Sequence, residues 1–174
     1  ISSNKGETLW QFEAGNEQVI STNGAYLMDY ALSEVTKTGT AKSLSWRLKN
    51  NEVAGKTGTS NDLRDSWFVG YDNNHLVTTW LGKDDNKSTG LTGSSGALTL
   101  FSDFIKKQGI VNKKRDEPDA IAMTLFEKKT GHAVTSQCDN TIHYPAISAG
   151  IAIQNSCLKE KVDERSWFEK LFSD

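Results

Sequence analysis

Glu52-Val53-Ala54-Gly55-Lys56-Thr57-Gly58-Thr59-Ser60 is a short apolar run that closes on a cation, two threonine hydroxyls and a glycine, and a polar turn, Asn61 to Asp65, follows it. The pattern reads as a strand whose end presents a fixed positive charge beside two hydroxyls. Gly58 lets another molecule's backbone approach closely. Lys56 supplies charge, and Thr57 and Thr59 supply neutral donors, a combination suited to holding a carboxylate.

The same four letters occur at Lys37-Thr38-Gly39-Thr40. That copy follows a helical pattern over Asn23 to Val35, in which Leu27, Ala31, Leu32 and Val35 keep helical spacing and Ser21, Thr22 or Asn23 can cap the start. Lys37 there favours the helix dipole, and Gly39 reads as a C′ glycine. We therefore assign the binding role to Lys56 and helix termination to Lys37.

Downstream, Trp67 to Tyr71 and Leu76 to Leu81 are aromatic and β-branched runs around Asp72-Asn73-Asn74-His75, which predicts a hairpin. Both faces of these strands carry bulky apolar groups, so helices are expected on both sides of the sheet. Gly82 to Gly93 reads as loop. Ser94 or Ser95 is the expected cap of a helix with Leu98, Phe101 and Ile105 on one stripe, ending near Gly109. Upstream, Ile1 to Phe12 reads as a hairpin turned at Asn4-Lys5-Gly6, Glu13 to Gln18 as linker, and Ala41 to Asn51 as a basic loop.

Beyond Ile110 the texture changes. The charged run Lys113 to Pro118 marks an expected boundary, giving residues 1–112 and a C-terminal extension, residues 113–174. In the extension, Ala120 to Phe126 and His132 to Cys138 read as a hairpin turned by Lys128 to Gly131, and Ile142 to Ile153 is weakly apolar. Val162 to Phe172 places Val162, Trp167, Leu171 and Phe172 near one helical face. Docking on the domain is one use of that face, and contact with a partner or a membrane surface is the other. Cys138 and Cys157 lack a Cys-x-x-Cys companion, which argues against zinc. We read them as a disulfide in an oxidising compartment, with two buried free thiols as the alternative.

A chain of 174 residues can bury a real core. A net charge of -2 with scattered lysines gives no reason to expect a nucleic-acid partner. No apolar run approaches the ~20 residues of a membrane span, so the chain is expected to be soluble. His75, His132 and His143 are dispersed, so no metal is expected. Gly55-Lys56-Thr57 mimics the end of a P-loop, but Asn50 stands where that motif needs its earlier glycine.

Lys-Thr-Gly is one of the three motifs of serine penicillin-binding proteins and β-lactamases. The succession Ala54-Gly55-Lys56-Thr57-Gly58-Thr59-Ser60-Asn61, Asp65-Ser66-Trp67-Phe68-Val69-Gly70-Tyr71, Thr79-Trp80-Leu81-Gly82 and Gly93-Ser94-Ser95-Gly96-Ala97 resembles the end of the transpeptidase domain of bifunctional class A penicillin-binding proteins. The cysteine pair and the closing Trp167-Phe168-Glu169-Lys170-Leu171-Phe172 are similar to the C-terminal end of the 1B type. The resemblance implies an α+β, partial β-lactamase/transpeptidase-like fold, an antiparallel sheet packed against helices, with a small disulfide-bearing tail. It implies acyl transfer from peptidoglycan stem peptides, inhibition by β-lactams, no cofactor, and a parent protein anchored at the periplasmic side of the inner membrane, where an envelope activator protein is a further partner. By residue it implies that Lys56, Thr57, Gly58 and Thr59 bind the substrate, and that the Thr59 backbone N–H forms half of an oxyanion hole.

The family's nucleophile lies in Ser-x-x-Lys and its second motif in Ser-x-Asn, both before Lys-Thr-Gly. Ser2-Ser3-Asn4-Lys5, Ser156-Cys157-Leu158-Lys159 and Ser21-Thr22-Asn23 share these spellings but not the surroundings. A catalytic serine should open a buried helix so that its lysine reaches the hydroxyl. The nucleophile is therefore expected to be absent from this chain. The competing reading is a non-catalytic, disulfide-stapled binding module of the cell envelope, with Lys56 an ordinary exposed strand lysine.

Overall fold

The computed structural model describes residues 1–13, 15, 17–49, 52–135 and 140–154. It divides into two compact units, Ile1–Pro118 and Asp119–Asp174. Cys138, Cys157, Ser156 and the expected helix of Val162 to Phe172 lie outside the described residues.

The first unit opens on a turn in which a single bridge, Ser2 with Thr8, stands in place of the expected hairpin. Helix α1 is Thr22–Lys37, and Ser21 caps it by accepting from the Gly24 N–H at 3.1 Å. Its buried positions are Ser33 and Thr36, not the stripe of Leu27, Ala31 and Leu32 that its apolar spacing predicts. The reason is a polar contact: the Thr36 hydroxyl lies 2.7 Å from Val53 O and donates across to the start of the next strand. Gly39 also differs from expectation, since its φ is not left-handed. What it needs is room, because a Cβ there would lie 2.9 Å from Val35 Cα.

The segment read as a basic loop contains a second short helix, α2, Ser43–Arg47. Ala41, Leu44 and Leu48 are almost fully buried. Their i, i+3 and i+7 spacing is the helical signal, obscured by the lysines and arginine around it. They share a core with Val53, Phe68, Ala97, Leu98, Phe101 and Ile105.

Strands β1 (Ala54–Thr59), β2 (Ser66–Tyr71) and β3 (Leu76–Leu81) form an antiparallel sheet in the order β1-β2-β3. The expected hairpin is β2–β3, in register Trp67 with Trp80 and Tyr71 with Leu76. Along β2, Ser66, Phe68 and Gly70 are buried while Trp67 and Val69 are exposed. Helix α3 (Ala97–Gln108) covers the buried face with Leu98, Phe101 and Ile105, each 0% exposed. Each such side chain contributes roughly 1.5–3 kcal/mol, and the Phe68 and Phe101 rings add a tilted contact at 4.7 Å. The two-sided cover expected from the sequence is not present among the described residues: Trp67, Val69 and Trp80 remain more than 40% exposed.

Neither Ser94 nor Ser95 caps α3, whose N-cap is Gly96. Both serines instead bond within the preceding turn, where Ser95 Oγ accepts from the Thr92 N–H at 2.9 Å. The cap comes from the sheet: Ser66 Oγ accepts from the Ala97 N–H at 2.9 Å and donates to Thr92 O at 2.7 Å.

Asp72, at the end of β2, organises the far side of this unit. It accepts from the N–H groups of Asn74, His75 and Val111 and faces the His75 ring at 3.1 Å. Burial pushes its carboxyl pKa up, but these hydrogen bonds outweigh burial and hold it at about 2. A lowered folded value means stability that is present above about pH 4 and lost as pH falls through 2, worth about 2 kcal/mol. Urea unfolding at pH 6 and pH 2.5 should therefore show a pH effect smaller by about 1.5 kcal/mol in Asp72→Asn, most of that contribution. An unchanged pH dependence in the variant refutes the assignment.

The chain after α3 is strapped to the same unit. Asn112 accepts from Glu52 N–H, Lys113 sits 3.9 Å over the Tyr71 ring, and Lys113 and Arg115 both pair with Asp29 of α1.

The second unit is a separate sheet, in the order β6-β4-β5-β7, of β4 (Ile121–Glu127), β5 (Ala133–Val134), β6 (Thr141–Ile147) and β7 (Ile153–Gln154). The expected β4–β5 hairpin exists, and among the described residues it pairs Phe126 with Ala133. The main ladder joins β4 to β6 over seven residue pairs. Apolar alternation is weak in Thr141–Ile147, so the sequence does not mark that segment as a strand.

Candidate functional site

Strand β1 has β2 on one side and forms the edge of its sheet among the described residues. The phase of its ladder follows from its last bond, since Ser60 N–H donates to Asp65 O at 3.1 Å. Opposed residues in an antiparallel pair alternate between bonding each other and turning away. With Gly58 opposite Trp67 and Lys56 opposite Val69, the even residues bond β2. The N–H and C=O of Thr57 and Thr59 then face the open edge. Lys56 Nζ reaches that edge as well, donating to Thr57 O at 2.9 Å.

Side chains alternate in the other sense. Lys56 and Gly58 share a face with Val69 and Trp67, and Thr57 and Thr59 share the opposite face with Phe68 and Ser66. The cation and the hydroxyls thus flank one run of backbone from its two sides. That arrangement can receive an extended ligand along the edge and hold its carboxylate between charge and hydroxyl.

Several groups hold the edge in place. Thr59 Oγ1 accepts from the Gly93 N–H at 2.9 Å, and Thr57 Oγ1 lies 2.7 Å from Thr40 Oγ1. The turn after Thr59 is closed by Ser60 Oγ, which accepts from Asp65 N–H at 2.7 Å and donates to Asp65 Oδ2 at 3.0 Å. Trp80 Nε1 donates to Asp65 Oδ1 at 2.9 Å, and the Trp67 and Trp80 rings meet at 5.9 Å. Asp62 and Leu63 sit at φ 59 and 55 within this turn. Such left-handed conformations cost non-glycine residues energy and persist only when held. Thr89 supplies the restraint, donating to Leu63 O from both its N–H and its hydroxyl.

Of the residues singled out in the sequence, Lys56, Thr57, Gly58 and Thr59 lie together on β1. Lys37 is the last residue of α1 and faces Glu34 at 3.8 Å. Ser21 caps α1, and Ser2 lies in the terminal bridge. Sequence reasoning did not see that Thr40, Thr89 and Gly93 support the edge, because each acts across a long separation with no local pattern. Among the described residues no group of three His, Cys, Asp or Glu side chains is placed to hold a metal ion. No described helix is long and apolar enough to cross a membrane.

No family model matches the chain. Penicillin-binding protein 1B of Vibrio cholerae is 33% identical over 97% of the chain, and that of Haemophilus influenzae is 39% identical over 63%. The chain spans 21% and 14% of the length of these two relatives. The crystal structure of penicillin-binding protein 1A from Haemophilus influenzae superposes with a TM-score of 0.64 at 26% identity, over 80% of this chain and 22% of that one.

Proposed function

We propose that this chain, homologous to the C-terminal portions of class A penicillin-binding proteins, is the carboxylate- and oxyanion-binding part of a peptidoglycan D,D-transpeptidase. The observation that carries this reading is the β1 edge, where Lys56 and the outward backbone of Thr57 and Thr59 converge. Lys56, Thr57 and Thr59 hold the terminal carboxylate of a stem peptide or a β-lactam, and Gly58 leaves room for its backbone. The Thr59 N–H donates to the carbonyl oxygen as it becomes an oxyanion, a preorganised contact that lowers the barrier to acylation. The serine nucleophile and its lysine come from a part of the enzyme outside these 174 residues. The site of action is the periplasmic face of the cell envelope.

Labelled penicillin followed by denaturing electrophoresis tests this directly. The full-length protein carrying this chain should give a stable labelled band, and the isolated chain none, because a clamp without a nucleophile cannot acylate. A band on the isolated chain that disappears in Ser2→Ala or Ser156→Ala shows a catalytic serine within it. A full-length protein that binds stem peptide yet never acylates supports a non-catalytic binding module instead.

A further inference from the structure

The second Lys-Thr-Gly-Thr copy is more than the end of a helix. Its threonine, Thr40, faces Thr57 of the first copy, with the two hydroxyl oxygens 2.7 Å apart. Resting on the reading above, we infer that Thr40 is a positioning residue for the carboxylate clamp: it donates to Thr57 Oγ1 and so turns the Thr57 hydrogen toward the ligand.

Hydrogen count decides the direction of this bond. A hydroxyl carries one hydrogen, and a carboxylate only accepts. Thr57 can therefore serve the ligand only by spending its hydrogen there, which leaves its oxygen free to accept. If the Thr40–Thr57 bond ran the other way, Thr57 would present lone pairs to the carboxylate. A donor at Thr40 selects the productive direction before the ligand arrives, and the bonded pair polarises each hydroxyl in the same sense.

Thr40 is held well enough to do this. Its neighbour Ala41 is fully buried in the core, and Ala41 N–H donates to Val35 O at 3.1 Å. On its other side Gly39 packs so closely on Val35 that no side chain fits. The Lys42 N–H closes the turn on Gly39 O at 3.1 Å. The hydroxyl of Thr40 is thus delivered to β1 by a rigid segment, 17 residues from its partner in sequence.

The test uses the full-length protein and two probes, benzylpenicillin and its methyl ester, which lacks the carboxylate. Thr40→Val should slow acylation by the acid about three- to tenfold, the effect of one hydrogen bond, and slow the ester less, because its neutral carbonyl is the weaker acceptor. Thr40→Ser should restore the acid rate, and adding Thr40→Val to Thr57→Val should cost nothing further. Equal slowing of acid and ester, or an undiminished loss in the Thr57→Val background, overturns the inference. Lys56→Ala separates it from the reading it rests on. If that variant leaves the acid-to-ester ratio unchanged, the carboxylate clamp itself fails. If it lowers the ratio while Thr40→Val does not, only the role of Thr40 fails.

Discussion

Lys56→Ala in the full-length protein should slow acylation by penicillin about 100- to 1,000-fold, whereas Lys37→Ala should leave the rate within about threefold. Losing the cation that pairs with the ligand's carboxylate, once the ligand covers the edge, costs roughly 2–5 kcal/mol, and each 1.4 kcal/mol is a factor of ten. Lys56 Nζ already sits on the open edge, bonded to the carbonyl of Thr57. Lys37 lies at the end of α1, half-exposed, 3.8 Å from Glu34 of its own helix. A cation in that position contributes about 0.3–1 kcal/mol through the helix dipole, and its partner on the same helix adds little. The expected signature of Lys37→Ala is accordingly a slightly lower Tm with near-normal acylation. Second-order acylation rates with melting curves on both variants decide the matter. Equal rates, or a greater loss for Lys37→Ala, would reverse the assignment of the two copies.

Gly93→Ala should be among the most damaging single-methyl changes near the site, costing about 3 kcal/mol or more of stability and disrupting acylation with it. A Cβ at Gly93 would lie 2.5 Å from Gly58 O, 2.6 Å from Trp67 O and 2.9 Å from Gly58 N. All three are backbone atoms in the β1–β2 ladder, so no rotamer can relieve the contact, and overpacking of this kind costs 1–3 kcal/mol or more. The displacement required would also pull the Gly93 N–H from Thr59 Oγ1. Glycine at position 90, where an added Cβ meets nothing within 4 Å but φ is +72, is the comparison. Gly90→Ala should cost only the strain of a left-handed alanine, about 1–2 kcal/mol, and spare acylation. Thermal melts and labelling of both variants test this, and a Gly93→Ala protein as stable as wild type would show that the ladder can yield.

The parts of this unit that were legible in the sequence are those written in local pattern. Trp67 to Leu81 announced a hairpin through β-branched and aromatic runs, and Leu98, Phe101 and Ile105 announced a helix through their spacing. The strand of Lys56 was legible because an apolar run precedes a polar turn. What escaped was decided by contacts across the chain. α1 buries Ser33 and Thr36 because Thr36 has a carbonyl to bond at Val53, a partner that no hydropathy scale contains. The short helix of Leu44 was masked by its charged neighbours. In the second unit β4 finds its main partner in Thr141–Ile147, where Pro145 and His143 weaken the strand signal. At the site, the motif identified the cation and hydroxyls, but Thr40 and Gly93 support them from 17 and 34 residues away, and Thr89 holds the following turn at Leu63 from 26.

The cap of α3 bears on the order in which the molecule assembles. The side-chain hydroxyl that accepts from the first N–H of that helix belongs to Ser66, on β2, 31 residues earlier in the chain. A twelve-residue helix is marginal by itself in water, and one without a local cap is more so. In the unfolded chain α3 therefore has little to start from. Its first turn is completed when Ser66 is already in place on a formed strand, so the helix consolidates on the sheet rather than ahead of it. Closing that distance is slow compared with local helix growth, so stopped-flow probes on α3 and on the β2–β3 hairpin are expected to report one shared refolding rate rather than an early helical phase.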